Sequence, residues 1–121
     1  MTMEYKFRGY DIIGHKWVYG DLVHNKKVTR TGLEPRVMVG GYEVAPESVG
    51  LFTGLKDKNG TDIYEGDIFR LKHPFVPRHE IEPVVWDDDF CRFAVGLYNI
   101  LLCRDSEIIG NVYQNKELLE K

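Results

Sequence analysis

The side chains that could do chemistry in this sequence are carboxylates, histidines and two cysteines. The most suggestive carboxylate pattern is Asp57-Lys58-Asn59-Gly60-Thr61-Asp62, which resembles the start of an EF-hand calcium loop. Such a loop needs Gly at its sixth position and Glu at its twelfth, but Asp62 and Ile68 stand there. We therefore expect a hairpin turn with exposed carboxylates rather than a metal site.

Two further sets of metal-ligating side chains also lack a suitable spacing. Asp87, Asp88 and Asp89 are adjacent, and adjacent residues at a turn rarely point at one ion, so we interpret them as the solvated tip of a hairpin. None of the four histidines stands four positions from another or beside a Cys-x-x-Cys pair; they are His15, His24, His73 and His79. The sequence predicts no metal site.

Nucleophilic catalysis would require an activated thiol or hydroxyl. Cys91 and Cys103 lie inside apolar runs, where burial suppresses thiol reactivity, so we predict that both are core residues. Ser48 and Ser106 lack the Gly-x-Ser-x-Gly sequence that exposes a nucleophilic serine.

Acid–base catalysis would depend on Glu65 and Asp67, which would share a face if both lay on one strand. No other catalytic signature converges on them, and we expect them to close a turn around Gly66. The glycines at positions 50, 54 and 60 match neither a Gly-x-Gly-x-x-Gly sequence nor a Walker loop. The sequence predicts no catalytic residues and no cofactor.

A basic cluster is the best candidate for ligand binding. Four cations lie within eleven positions: Lys26, Lys27, Arg30 and Arg36. Basic side chains neutralise phosphates and aromatic rings stack on bases, and Trp17, Tyr19 and Tyr42 are close in sequence. Glu34 lies within the cluster and the chain has a net charge of -3, so nucleic-acid binding remains an alternative rather than the favoured function.

Length and composition describe an ordinary globular chain. Its 121 residues suffice for one domain with one core. Two cysteines are too few for a disulfide scaffold, no apolar run is long enough to span a membrane, and the first residues lack the apolar core of a signal peptide. We expect a cytoplasmic protein without membrane contact.

Frequent Gly, Asn and Pro residues predict many short strands rather than long helices. We expect an antiparallel meander before Val49, with residues 25–32 as a polar, basic loop. Tyr98–Cys103 should be a further strand, and Asn115 should cap a short helix over residues 116–121. The predicted turn residues are Gly54, Asn59, Gly60 and Gly66. The predicted core residues are Ile68, Val84, Trp86, Phe93, Val95 and Leu101.

Several blocks of the chain, taken in order, resemble the YopX-like proteins of bacteriophages and prophages. These blocks are Phe7–Asp11, Glu47–Gly60, Ile63–Ile68, Val84–Asp87 and Glu107–Asn115. The resemblance implies a phage or prophage product in a bacterial cytoplasm. It implies one domain over residues 1–121, in which a β arm (1–48) precedes a small SH3-like β-barrel core with the C-terminal helix (49–121). It implies no assigned activity.

The functional hypothesis is therefore a non-enzymatic accessory protein that acts through protein contacts or self-association. Short antiparallel strands leave edges whose free N–H and C=O groups can pair with another chain. The N-terminal arm also carries apolar aromatic surface, at Tyr5, Phe7, Tyr10, Trp17 and Tyr19. The partner would be a second copy or an unidentified phage or host protein. The alternative is a nucleic-acid-binding module that uses the basic residues between 26 and 36.

Overall fold

The computed structural model describes residues 5–72 and 80–120. The described chain is mainly β, as predicted. It divides into two compact units, Met1–Leu51 and Phe52–Lys121. Strand β6 (Gly50–Lys56) begins in the first unit and continues into the second.

The first unit consists of antiparallel strands divided between two sheets, rather than the single meander that was expected. Its strands are β1 (Phe7–Asp11), β2 (Lys16–Gly20), β3 (Leu22–Thr29), β4 (Gly32–Val39) and β5 (Tyr42–Glu43), followed by a 3₁₀ turn at Pro46–Ser48. Strand β1 pairs with β2 and with the first residues of β6, and β4 pairs with β3 and β5.

The predicted polar loop at residues 25–32 is wrong. Strands β3 and β4 pair continuously from Leu22 opposite Val39 to Thr29 opposite Gly32, so these residues form a two-stranded hairpin. Its polar composition suggested a loop, but a hairpin that faces water on both sides carries polar residues on both faces. The pairing along its whole length outweighs the weak strand preference of Asn and Lys.

The core of the first unit consists of Val18, Val39 and Val44, with Phe7, Leu22, Val37 and Val49 packed against it. The ends of β2 and β4 meet there, backbone against backbone. A Cβ on Gly20 would lie 2.9 Å from the Cα of Gly40, and a Cβ on Gly40 would collide with the carbonyl oxygen of Tyr19. Side chains at either position are therefore excluded by space as well as by the positive φ of both glycines.

The second unit contains the rest of β6 with β7 (Asp62–Tyr64), β8 (Asp67–Leu71), β9 (Glu80–Asp87), β10 (Arg92–Val95), β11 (Tyr98–Asn99) and β12 (Glu107–Asn111). A five-stranded antiparallel sheet has the order β11-β10-β9-β8-β12, and β7 pairs with β6. Two 3₁₀ segments complete the unit, at Ile100–Asp105 and Lys116–Leu119. The closed SH3-like barrel remains a prediction.

The core of the second unit contains Ile63, Phe69, Leu71, Val84, Val95, Ile100 and Cys103. Burial of Ile68, Val84 and Val95 confirms three predicted core residues, and Phe93 packs partly buried against the cluster. The prediction of Trp86 and Leu101 as core residues is wrong, because 46% and 52% of their surfaces are exposed.

The two errors have different physical causes. Trp86 shares a face with Val84, two residues earlier on β9, but lies closer to the loop that joins β9 to β10, beyond the core. Leu101 was placed on a strand, whereas residues 100–105 form a 3₁₀ helix. Its period of three turns Ile100 and Cys103 inward and leaves Leu101 outside.

The predicted C-terminal helix is found only as a short 3₁₀ helix within residues 80–120. It spans Lys116–Leu119, and the side chain of Asn115 does not cap it, contrary to the prediction. Asn115 instead accepts a hydrogen bond through Oδ1 from the backbone N–H of Asn111 at 3.1 Å. So few residues cannot offset the cost of nucleating an α-helix.

Candidate functional site

The calcium-like turn is held together by its own aspartate. Asp57 Oδ1 accepts hydrogen bonds from the backbone N–H groups of Asn59 (2.9 Å) and Thr61 (3.0 Å), and Oδ2 accepts one from that of Ile108 (3.3 Å). The N–H of Gly60 bonds to the carbonyl of Asp57 at 3.0 Å and closes the turn. Asp57 is buried, so its carboxylate serves the backbone and is not the exposed group that was expected.

Glu65 and Asp67 do not form a pair on one strand, because Glu65 lies in the turn before β8. Asp67 is buried, and its Oδ2 accepts a hydrogen bond from the N–H of Tyr64 at 2.8 Å. Gly66 lies between them with φ 94°, its N–H bonded to the carbonyl of Val84. This geometry agrees with the interpretation of the segment as a turn.

The remaining predicted turn residues divide between a turn and a strand. Asn59 and Gly60 lie in the turn between β6 and β7, where Gly60 has φ 81°. Gly54 lies inside β6 instead, with φ 86°, where the register of pairing with β7 shifts between Phe52 and Lys56. Gly54 therefore accommodates an irregularity within strand β6 rather than a reversal of the chain.

The two cysteines differ in environment. Cys103 is fully buried, as predicted, and burial together with the nearby charge of Asp67 raises the pKa of its thiol to about 12. The prediction of Cys91 as a core residue is wrong. Cys91 is exposed at the end of the loop between β9 and β10, where its φ is 49°. The apolar run suggested a longer strand, but the loop includes Cys91 and β10 begins only at Arg92.

Within residues 5–72 and 80–120, no group of three or more His, Cys, Asp or Glu side chains could hold a metal ion. His15 and His24 are exposed, and His73 and His79 lie outside the described residues. Asp88 and Asp89 are exposed in the β9–β10 loop. None of the described helices has the length and apolar character needed to cross a membrane.

The four candidate nucleic-acid contacts lie on the β3–β4 hairpin but not on one face of it. Lys26 and Lys27 are consecutive strand residues, so their side chains leave opposite faces. Lys27 forms an ion pair with Glu43 at 2.9 Å, and Arg36 Nε donates to Asn25 Oδ1 at 2.6 Å. Arg30 lies in the turn at the tip.

The aromatic residues of the first unit are only partly available for stacking. Trp17 is half-buried between the guanidinium of Arg8, 4.7 Å from its ring, and the edge-on ring of Tyr10, 5.4 Å away. The Lys16 ammonium lies 4.6 Å from the ring of Tyr42. Phe7 packs on the core, whereas Tyr5 and Tyr19 are exposed.

Apolar side chains are exposed at the outer end of the same hairpin, a feature that the sequence reasoning missed. Val28 and Leu33 stand opposite each other across the strands, with 84% and 64% of their surfaces exposed. Pro35 shares their face and is also exposed. Nearer the core, this face buries Val39. An apolar residue on each side of the Thr29–Gly32 turn was the signal that could have revealed this pair.

The hairpin also has a charge opposite to that of the rest of the chain. Leu22–Val39 contains four basic residues and one acidic residue, Glu34, for a net charge of +3. Because the whole chain carries -3, the remaining residues carry -6. The exposed outer half of the hairpin, residues 24–35, is hereafter called the outer hairpin.

A shallow cleft of about 220 Å³ lies near the base of the hairpin, lined by Ile12, Ile13, Lys27, Glu43 and Val44. Cavities that hold drug-sized ligands are generally larger, from about 300 Å³. The cleft is lined mainly by apolar residues together with one exposed ion pair. It offers room for about one side chain and no convergent polar groups for a cofactor.

The described strands define a small β-rich protein. The YopX protein family model matches residues 6–120, and the chain belongs to this family. A solved structure, that of protein EF1440 from Enterococcus faecalis, is similar in fold with a TM-score of 0.60 and 24% sequence identity, covering 98% of this chain and 100% of that one. None of the curated proteins matches the chain.

Proposed function

We propose that this chain is a non-enzymatic accessory protein, encoded by a phage or prophage, that acts in the bacterial cytoplasm by binding another protein. The observation that supports this function is the exposed apolar pair at the outer hairpin, Val28 and Leu33. A water-facing hairpin gains nothing from such side chains in isolation, because their exposure is unfavourable. A partner surface that covers them would recover that free energy.

Two features support a role in binding rather than catalysis. The buried carboxylates of Asp57 and Asp67 are engaged by backbone N–H groups, so they are committed to holding turns. The thiol of Cys103 is buried, and burial raises its pKa to about 12, so no nucleophilic thiolate is available there. The SH3-like barrel implied by the family resemblance belongs to the same proposal, and the five antiparallel strands of the second unit are compatible with it.

Nucleic-acid binding is the second candidate, and the +3 charge of the hairpin favours it. Two observations weigh against it. Lys26 and Lys27 point to opposite faces, so one phosphate backbone cannot engage both from the same side. Residues 24–35 also contain no Phe, Tyr or Trp on which bases could stack.

The proposal is tested by comparing two double variants in cells that carry the phage or prophage. Val28→Ser with Leu33→Ser removes the apolar pair of the outer hairpin. Val85→Ser with Leu97→Ser is the matched control, since it changes the same residue types at exposed positions of the second unit. Affinity capture with quantitative mass spectrometry should find a protein that the wild type and the control retain and the hairpin variant loses.

The captured protein is then purified and its binding to the chain is measured directly by calorimetry. Circular dichroism and thermal melts confirm that both double variants are folded. Capture of the same proteins by wild type, hairpin variant and control would contradict the proposal.

A further inference from the structure

We infer that the free edge of β3 is a docking site for an extended, acidic segment of a partner protein, which adds to the hairpin as a further antiparallel or parallel strand. This inference rests on the proposed function and specifies the chemistry of the partner. Within the described residues, β3 lies at the edge of its three-stranded sheet and pairs only with β4. An edge strand presents backbone donors and acceptors that another strand can satisfy.

The hydrogen-bonding pattern identifies which backbone groups of β3 are available. The carbonyl of Val37 accepts from the N–H of Val44 at 3.0 Å, so the backbone of Val37 faces away from β3. Its opposite residue, His24, therefore turns its own N–H and C=O away from β4. The alternation along an antiparallel ladder gives the same orientation to Leu22, Lys26 and Val28.

The opposite edge of the hairpin is less suited to an added strand. Strand β5 already pairs with Met38 and Val39 at the inner end of β4. Further out, Pro35 has no N–H to donate, and its ring would interrupt a new ladder. The free edge of β3 contains no proline.

The side chains beside this edge determine what the added strand should carry. Lys26 forms no hydrogen bond or ion pair with any described residue, and it leaves the same face as the exposed Val28. Lys27 leaves the other face, so a docked strand has a cation beside each of its two faces. Carboxylates on the docked strand, with an apolar residue placed against Val28 and Leu33, would complement both the charge and the apolar surface.

A second copy of this chain fits the edge less well. In an antiparallel pair of β3 edges, hydrogen bonding sets outward-facing residues opposite one another, which places Lys26 of one copy opposite or diagonal to Lys26 of the other, and like charges on neighbouring strands are destabilising. The charge therefore favours a different, acidic strand over self-pairing.

The test uses the full chain and three labelled probes measured by fluorescence anisotropy. The first probe is a peptide of about ten residues, long enough to span the edge, with Glu on both faces and one Val placed to lie against Val28 and Leu33. The second replaces every Glu by Lys, and the third is a single-stranded DNA oligonucleotide. We expect the acidic peptide to bind at least about tenfold more tightly than either of the other probes.

Hydrogen exchange then locates the bound peptide. Bound acidic peptide should slow amide exchange at Leu22, His24, Lys26 and Val28, whose N–H groups point outward. Amides of β4 already bonded to β3 should change little. Protection elsewhere, with none on β3, would overturn the assigned edge.

Two variants test the edge and its charge separately. His24→Pro removes one outward N–H while keeping both lysines, and it should weaken binding of the acidic peptide by about tenfold or more. The double variant Lys26→Glu, Lys27→Glu keeps every backbone donor of β3. It should reverse the preference between the two peptides, so that the Lys peptide binds more tightly than the Glu peptide. Lys116→Glu, an exposed lysine of the second unit, is the control and should leave binding unchanged.

The outcomes separate this inference from the proposed function. Tighter binding of DNA than of the acidic peptide would overturn the inference and favour nucleic-acid binding. Self-assembly of the chain that is lost in the Val28→Ser, Leu33→Ser variant would overturn it and favour self-pairing. Capture of a partner protein that depends on Val28 and Leu33, without binding of the acidic peptide, would uphold the proposed function and overturn the inference. Peptide binding at β3 without any captured protein would uphold the docking chemistry and contradict the proposed function.

Discussion

The Asp57 carboxylate accepts a hydrogen bond from the backbone N–H of Ile108 at 3.3 Å and so joins the β6–β7 turn to strand β12. The neighbouring N–H of Lys58 donates to the carbonyl of Ser106 at 3.1 Å. Two segments far apart in sequence are thereby fixed to each other through backbone groups. A block that resembles a calcium loop in sequence is, in the folded chain, a clamp within the second unit.

Replacement of Asp57 should destabilise the protein. Asp57→Ala removes the carboxylate acceptor of three part-buried backbone N–H groups, and a hydrogen bond to a charged group contributes about 1.5–3 kcal/mol. The free energy of unfolding, measured by urea denaturation, should fall by at least about 2 kcal/mol. Asp89→Ala, which removes an exposed carboxylate, is the control. Equal stability of the two variants would show that the clamp contributes nothing.

Aromatic truncations should distinguish the core from its margin. Phe69 is fully buried, and Phe69→Ala should cost about 3–5 kcal/mol. Trp86 is nearly half exposed and retains mainly an edge-on contact with Phe93, at a centroid distance of 5.1 Å. Trp86→Ala should therefore cost only about 1–2 kcal/mol. Chemical denaturation measures both values, and a larger loss for Trp86 would place it back in the core.

Substitution of Gly60 should act through backbone strain alone. A Cβ there would meet no atom within 4 Å, but φ is 81°. We expect Gly60→Val to destabilise the turn by about 1–2 kcal/mol and Gly60→Asn by less, because Asn tolerates a left-handed conformation better. Thermal melts of the two variants provide the comparison. Identical melting temperatures for Gly60→Val and the wild type would mean that the turn relaxes without strain.

Thiol labelling should separate the two cysteines. Cys91 is exposed and Cys103 is fully buried with a pKa raised to about 12. The folded protein should therefore react rapidly with one equivalent of a disulfide reagent near pH 8, and the unfolded chain with two. In Cys91→Ser the rapid reaction should be absent. Rapid modification of that variant in the folded state would contradict the burial of Cys103.

Stability should decrease at alkaline pH partly through Cys103. The thiol ionises near its ordinary value of 9.0 in the unfolded chain and near 12 in the folded one. Between these values the folded state holds more protons, so stability falls as pH rises, by up to about 1.4 kcal/mol per pH unit. Unfolding measured from pH 8 to 11 should show a shallower decline for Cys103→Ala than for the wild type. Parallel declines would exclude this contribution.

Local sequence patterns predicted antiparallel strands before Val49, apart from residues 25–32, and the turn at Gly60, because alternating burial and turn residues are set by neighbouring positions. They failed where tertiary contacts decide. Residues 100–105 form a 3₁₀ helix whose inward residues, Ile100 and Cys103, fill the core. The apolar run alone does not distinguish this arrangement from a strand.

The candidate site was predicted only in part. The sequence identified the four basic residues but placed them in a loop. A strand that faces water on both sides lacks the alternation of apolar and polar residues by which a strand is predicted. Whether Lys26 and Lys27 share a face depends on the pairing of β3 with β4, which no local pattern reveals. The commitment of Asp57 to a distant N–H was equally invisible, because its partner at Ile108 belongs to another strand.

The meeting of Gly20 and Gly40 sets a limit on how this chain can diverge. Neither position can acquire even a methyl group unless the two strand ends separate, so a mutational library selected for folded protein should be nearly empty at both. The outer hairpin, by contrast, should accept most residues in such a library. Selection for folding therefore fixes where the hairpin emerges while leaving its outer surface free to change.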